Sequence, residues 1–147
     1  MSDPLPVAIA DTSALIAFFN RTDKHHAAVR QGIARTGHLV VSPCVLTEVD
    51  YLIATRQGPP AAREVLSYTA ERVAADRWEV PSISNRLTAA HAVLGSYPAI
   101  GLADAINVVL ARDFRTDVIA TLDHRHFRMI RPLTRHDAFR LLPADAP

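Results

Sequence analysis

Short apolar runs recur along the chain between longer stretches of helical periodicity, and this alternation constrains the fold more than any other feature. It predicts an α/β domain with a central, mostly parallel five-stranded sheet flanked by helices in three layers. The first strand is expected at Val7–Ala10, with Thr12 or Ser13 capping a helix through Ala14–Phe19. A second helix runs from about Lys24 to Arg35 and stops at Gly37, before a buried strand at Leu39–Val41. Ser42 and Pro43 then read as N-cap and first turn of a helix ending near Gln57-Gly58-Pro59-Pro60. Further on, helices are expected over Ala61–Ala75, over Ser84–Leu94 and from Leu102, with strands at Trp78–Val80 and Val118–Thr121. A turn at Asp123–His126, a strand at Met129–Arg131 and a closing helix near Arg135–Leu142 complete the expectation. At 147 residues with no linker, repeat or low-complexity segment, residues 1–147 read as a single domain.

Four acids stand where these elements end or turn inward: Asp11, Glu48, Asp104 and Asp123. In open α/β sheets sites form at the carboxyl ends of strands. Asp11 and Asp123 follow two strands, and Glu48 lies about one and a half turns into the helix after another. Asp104 is in the first turn of its helix, where the helix dipole favours a carboxylate. Clustered carboxylates are costly to desolvate unless a cation compensates them, and hard Mg²⁺ or Mn²⁺ prefers oxygen ligands. The four acids are therefore read as metal ligands and catalytic residues for phosphate chemistry. Thr12 and Ser13 are placed to hydrogen-bond these carboxylates, and Asn107 shares the face of Asp104 three residues on. Taken singly, Asp11 reads equally well as a cap, Glu48 as an arginine partner and Asp123 as a turn residue. Asp50 is expected to face away from Glu48, and Asp113 and Asp117 to be solvated.

Net charge is only +1, but its distribution is uneven. Seven arginines and four acids lie between residues 112 and 140, with His124, His126 and His136 besides. Arginine forks suit phosphate oxygens, so Arg112, Arg125 and Arg128 are candidate phosphate contacts. The doublet His124 and His126 lacks the cysteines of a structural zinc site and reads as surface groups or phosphate contacts. The single Cys44 fits a reducing, cytoplasmic setting. Neither a signal peptide at Met1–Pro6 nor an apolar run long enough for a membrane span is expected. Acyl-transfer, nucleotide-hydrolysis and dinucleotide signatures are missing.

Four segments together resemble the PIN-domain family, and within it the VapC-type toxins of bacterial toxin–antitoxin pairs. They are Ile9-Ala10-Asp11-Thr12-Ser13-Ala14-Leu15, Ser42-Pro43-Cys44-Val45-Leu46-Thr47-Glu48-Val49, Gly101-Leu102-Ala103-Asp104-Ala105 and Ile119-Ala120-Thr121-Leu122-Asp123-His124-Arg125-His126-Phe127. The resemblance implies a PIN-like fold and a Mg²⁺- or Mn²⁺-dependent endoribonuclease acting on structured RNA such as tRNA or rRNA. It also implies a homodimer and a cognate VapB-like antitoxin. Apolar residues Val45, Leu46, Val49 and Leu52 near Tyr51 are expected to contribute partner surface.

Two rivals stand beside this reading. A phosphatase of the haloacid-dehalogenase type also opens with an aspartate after its first strand, but Ser13 occupies the position of its second aspartate. A catalytically silent PIN-like module that binds RNA or a partner would gain nothing from four clustered negative charges.

Overall fold

The computed structural model describes residues 7–146. Five strands, β1 Ala8–Ala10, β2 Leu39–Val41, β3 Trp78–Glu79, β4 Val118–Ala120 and β5 Arg140–Leu142, pair in the order β3-β2-β1-β4-β5. Every pairing is parallel. Helices α1 Thr12–Phe19, α2 His26–Ala34, α3 Pro43–Gln57 and α4 Pro59–Ala74 pack on one face. Helices α5 Leu87–Ser96, α6 Leu102–Asp113 and α7 His124–Met129 pack on the other. Among the described residues no helix is long and apolar enough to cross a membrane.

The register explains why the strands must be apolar throughout. Ile9 lies opposite both Val40 and Ile119, and Ile119 opposite Leu141. These residues form one row facing α5, α6 and α7. Their neighbours Ala8, Ala10, Leu39, Val41, Val118, Ala120 and Leu142 face α1 to α4. A sheet covered on both faces buries every position of its central strands.

Local chemistry sets the helix boundaries. Ser42 caps α3 by accepting from the Cys44 N–H at 3.1 Å, and Pro43 takes the first turn. Gly58 ends α3 and begins α4 at once, with φ +94, a backbone that favours glycine. That shared residue starts α4 at Pro59, two residues before the expected Ala61. The fifth helix begins as a 3-10 turn at Ser84–Arg86 before α5 proper.

Three sequence expectations fail in the last third. The expected turn at Asp123–His126 and strand at Met129–Arg131 both give way to α7, which runs from His124 through Met129. Asp123 caps α7 by accepting from the His126 N–H, and Phe127 and Ile130, three residues apart, both enter the core. The expected helix at Arg135–Leu142 ends instead in β5. Leu141 and Leu142 go to opposite faces of the sheet, an alternation of period two that a helix cannot satisfy. Of the residues expected to form partner surface, Val45 and Val49 are buried in the core and Tyr51 is 67% exposed.

Candidate active site

The sheet order puts the chain's change of direction between β1 and β4. From β1 the chain steps outward through β2 to β3, then returns to β4 on the other side of β1. Helices leaving β1 cover one face and those preceding β4 cover the other, so a crevice opens beyond the carboxyl ends of these two strands. Asp11 directly follows β1, and Asp123 lies just beyond β4. Both α3, entered from β2, and α6, which leads back to β4, begin at this edge. Asp11, Glu48, Asp104 and Asp123 all line one cavity of about 540 Å³, together with Thr12, Ser13, Leu52, Arg56 and His126.

Asp11 is the most enclosed of the four. It is the N-cap residue of α1, yet its carboxylate makes no capping bond. Its Oδ2 instead accepts from Thr121 Oγ1 at 2.8 Å and from Ser13 Oγ at 3.1 Å. Those hydroxyls accept in turn from the backbone, Thr121 from the Asp123 N–H and Ser13 from the Leu122 N–H, both at 2.9 Å. Each hydroxyl has one proton. With both protons directed at Asp11, the backbone amides beyond β4 fix the orientation of a carboxylate beyond β1. Burial pushes the Asp11 carboxyl up to about 6, against the lowering effect of the Thr121 and Ser13 bonds, and the Asp104 charge raises it further.

His126 joins the other side of the cavity. Its Nδ1 lies 3.0 Å from Asp104 Oδ2 and 3.1 Å from Asp123 Oδ2. Burial raises the Asp104 carboxyl above its ordinary value; the His126 bond and charge oppose this, while Asp123 and Glu48 add to it. Glu48 is exposed on the α3 wall and makes no ion pair among the described residues.

The donor set suits a hard divalent cation. Carboxylates from four elements share one cavity, and ligand atoms of Asp104, Asp123 and His126 lie within 4.8 Å of one another. The buried Thr12 Oγ1, in the same lining, has no hydrogen-bond partner among the described residues. Like charges and burial both oppose ionisation here, and a cation would reverse both effects.

The remaining sequence candidates lie elsewhere or are engaged. Asn107 is fully buried below the cavity, donating from Nδ2 to the Ala10 carbonyl at 3.4 Å, and its Oδ1 has no partner among the described residues. It is not in the cavity lining. Arg128 holds Asp145 through two bonds of 2.6 Å, and those bonds bring the Asp145 carboxyl down to about 2. Arg112 pairs with Asp113 at 2.9 Å, and Arg86 reaches the same carboxylate at 2.7 Å. Asp113, expected to be solvated, is thus held by two arginines, which outweigh burial and lower its pKa. Arg125 is exposed and has no ion pair among the described residues.

Three residues of the cavity region escaped sequence reasoning. His126 was visible only as half of a histidine doublet; once α7 is recognised, its spacing from Asp123 puts both on one face. Arg56 is eight residues beyond Glu48, two turns along the same helix face. Thr121 carried no signal, since a threonine at a strand end is ordinary.

Comparison with known proteins bears on the family and the fold. A family model described as PIN domain matches residues 8–131. The ribonuclease VapC26 of Mycobacterium tuberculosis is 43% identical over 129 residues, covering 85% of this chain and 93% of that protein. The crystal structure of Mycobacterium tuberculosis VapC20, a sarcin-ricin loop cleaving toxin, superposes with a TM-score of 0.68 at 21% identity. That match covers 81% of this chain and 91% of VapC20. VapBC2 from Rickettsia felis, bound to a DNA fragment from its promoter, matches with a TM-score of 0.62 at 16% identity, covering 87% of this chain and 96% of that one. At such identities the two structures establish a shared fold.

Proposed function

The chain belongs to the PIN-domain family, and from that premise we propose that it is a VapC-type endoribonuclease toxin. It hydrolyses a phosphodiester bond in structured RNA, such as tRNA or rRNA, with Mg²⁺ or Mn²⁺, and a VapB-like antitoxin neutralises it. What supports this reading is that Asp11, Glu48, Asp104 and Asp123, from four separate elements, line one cavity in which ligand atoms of Asp104 and Asp123 lie within 4.8 Å of one another. Its 43% identity to a ribonuclease supports the choice of RNA as substrate.

In this reading Asp11, Glu48, Asp104 and Asp123 hold the cation, and His126 is a further candidate ligand. Bound there, Mg²⁺ or Mn²⁺ lowers the pKa of a water and offsets charge on the phosphodiester. Ser13 and Thr121 keep Asp11 Oδ2 in one orientation, so that its carboxylate does not have to be reorganised when substrate arrives. In this reading Arg56, on the cavity wall, and Arg125, exposed on α7, contact RNA phosphates. Arg112 and Arg128 contribute only by exchanging their carboxylate partners for phosphate. The exposed Tyr51 and Leu66 supply apolar surface for a homodimer or the antitoxin. A reducing cytoplasm, where Cys44 stays a free thiol, completes the reading.

The test is cleavage of total RNA by purified protein, with 5′-end mapping of the products. Cleavage should stop with a chelator, return with Mg²⁺ or Mn²⁺, and fall at least about a hundredfold in Asp104→Asn. Undiminished cleavage by fully chelated protein would overturn the metal assignment. RNA binding without cleavage by the metal-loaded wild type would favour the catalytically silent module. Expression alone should arrest growth, and co-expression of the antitoxin should restore it.

A further inference from the structure

A second cavity, of about 290 Å³, lies at the opposite edge of the sheet, where β2 and β3 begin. Arg30 from α2, Arg72 from α4 and Arg77 from the turn before β3 line it, over a wall that includes Phe18, Tyr68 and Trp78. Among the described residues its lining contains no acid, and none of these three arginines makes an ion pair. The cavity therefore gathers three arginines and no carboxylate, with Arg30 and Arg77 exposed and Arg72 half-buried, an arrangement the fold must hold.

The backbone does hold it. The Arg77 N–H donates to the Arg72 carbonyl at 3.0 Å, and the Arg77 carbonyl accepts from the Leu39 N–H at 3.1 Å. The Arg72 guanidinium lies 5.1 Å from the Tyr68 ring centroid. Tyr68 is packed against Phe18, Phe19 and Trp78, with ring centroids 5.6 to 5.8 Å away. Most telling is Arg72 Nε, a buried donor with no acceptor among the described residues. A buried donor of a charged group costs free energy until an acceptor reaches it, and an aromatic wall lowers the local dielectric and strengthens the pairing that results.

From this we propose that the cavity binds a terminal phosphate group, remote from the catalytic carboxylates. The stoichiometry selects the class. One guanidinium fork saturates the two oxygens of a carboxylate, whereas a phosphate monoester offers three terminal oxygens and up to two charges. Three forks therefore match the monoester better than an acidic side chain or an internal phosphodiester, which has two free oxygens. The phosphate could be free, on a mononucleotide, or at the 5′ end of a nucleic acid strand. The proposal goes beyond the nuclease reading and stands whether or not that reading holds.

Calorimetric titration of the full chain in chelator separates these sources, using inorganic phosphate, AMP, and a short DNA strand with either a 5′-phosphate or a 5′-hydroxyl. Phosphate and AMP should bind, and the 5′-phosphorylated strand should bind at least tenfold tighter than its hydroxyl counterpart. Arg72→Gln should weaken each interaction at least tenfold. Arg72→Lys, which keeps a charge but loses the Nε donor and the fork, should recover only part. Arg63→Gln, on the exposed side of the same helix, should leave binding unchanged. If Arg72→Gln fails to fold, Arg77→Gln at the exposed turn carries the same expectation. Tightest binding of inorganic phosphate assigns the cavity to the free ion, of AMP to a mononucleotide, and of the 5′-phosphorylated strand to nucleic acid ends. The proposal is overturned by absence of phosphate binding, by equal losses in Arg63→Gln and Arg72→Gln, or by binding only of an acidic peptide.

Discussion

At Asp11 burial and hydrogen bonding act in opposite directions, and burial wins. An unfolded chain titrates this carboxyl near 3.8, the folded chain at about 6. Between those values the folded state keeps a proton that the unfolded state has released, so stability falls as pH rises through the window. The penalty is absent below about pH 4, complete above about pH 6, and about 3 kcal/mol in size at most. Asp104 is raised in the same direction. In chelated protein, Asp11→Asn should therefore raise the melting temperature at about pH 7.5 and change it much less at about pH 4.5. Equal shifts at both values would mean that the ionised carboxylate carries no such cost. His126 allows a second test at this scale. If its imidazole completes the cation site with Asp104 and Asp123, His126→Ala should weaken Mn²⁺ binding about tenfold or more, read from the free Mn²⁺ resonance signal. Unchanged affinity would leave His126 as the tie between α6 and α7 alone.

At the scale of elements, two helices end with a non-glycine residue in the left-handed region. Arg115 has φ 54 and Asp76 φ 56. After α6 the Thr116 N–H reaches the Ala111 carbonyl at 2.9 Å and the Arg115 N–H the Arg112 carbonyl at 3.1 Å. After α4 the same pair of bonds joins Arg77 to Arg72 and Asp76 to Val73. This is the Schellman closure, in which glycine is the usual left-handed residue. Arg115→Gly should stabilise the fold by about 0.5 to 1 kcal/mol, since the strain relieved exceeds the extra chain entropy lost. A lower midpoint of urea unfolding would refute that balance. Ser42→Ala should act in the opposite sense, costing about 1 kcal/mol through the lost cap of α3, the helix that carries Glu48.

For the whole molecule, the row formed by Ile9, Val40, Ile119 and Leu141 joins the sheet to α5, α6 and α7. Ile119 is fully buried and paired on both sides. Ile119→Ala should cost about 2 to 5 kcal/mol, measured by chemical unfolding, because the surrounding close-packed side chains cannot collapse into the space left. Activity measured well below the new melting point should survive in that variant, since Ile119 lines no part of the carboxylate cavity. Loss of activity in a folded Ile119→Ala protein would mean that this core row positions the site directly.

What the sequence determined by itself was carried by short-range patterns. Apolar runs such as Leu39–Val41 can satisfy only a doubly covered strand, and the Ser42-Pro43 start of α3 needs no distant partner. Asp11 and Asp123 were legible for a related reason: an acid after an apolar run lies at a strand end, and parallel strands share that edge, where α3 with Glu48 and α6 with Asp104 also begin. Tertiary structure decided what depended on partners far along the chain. Arg140–Leu142 is a strand because β4 offers it an edge, and no local pattern distinguishes that outcome from a closing helix. Thr121 bonds to Asp11 across 110 positions, and His126 reaches Asp104 across 22. Asn107 points at the end of β1 rather than into the cavity because α6 packs against β1. The arginines are divided the same way, Arg128 being held by Asp145 while Arg30, Arg72 and Arg77 gather without an acid among them. Periodicity fixes which face a side chain occupies, whereas pairing of charges and hydroxyls depends on which faces the fold brings together.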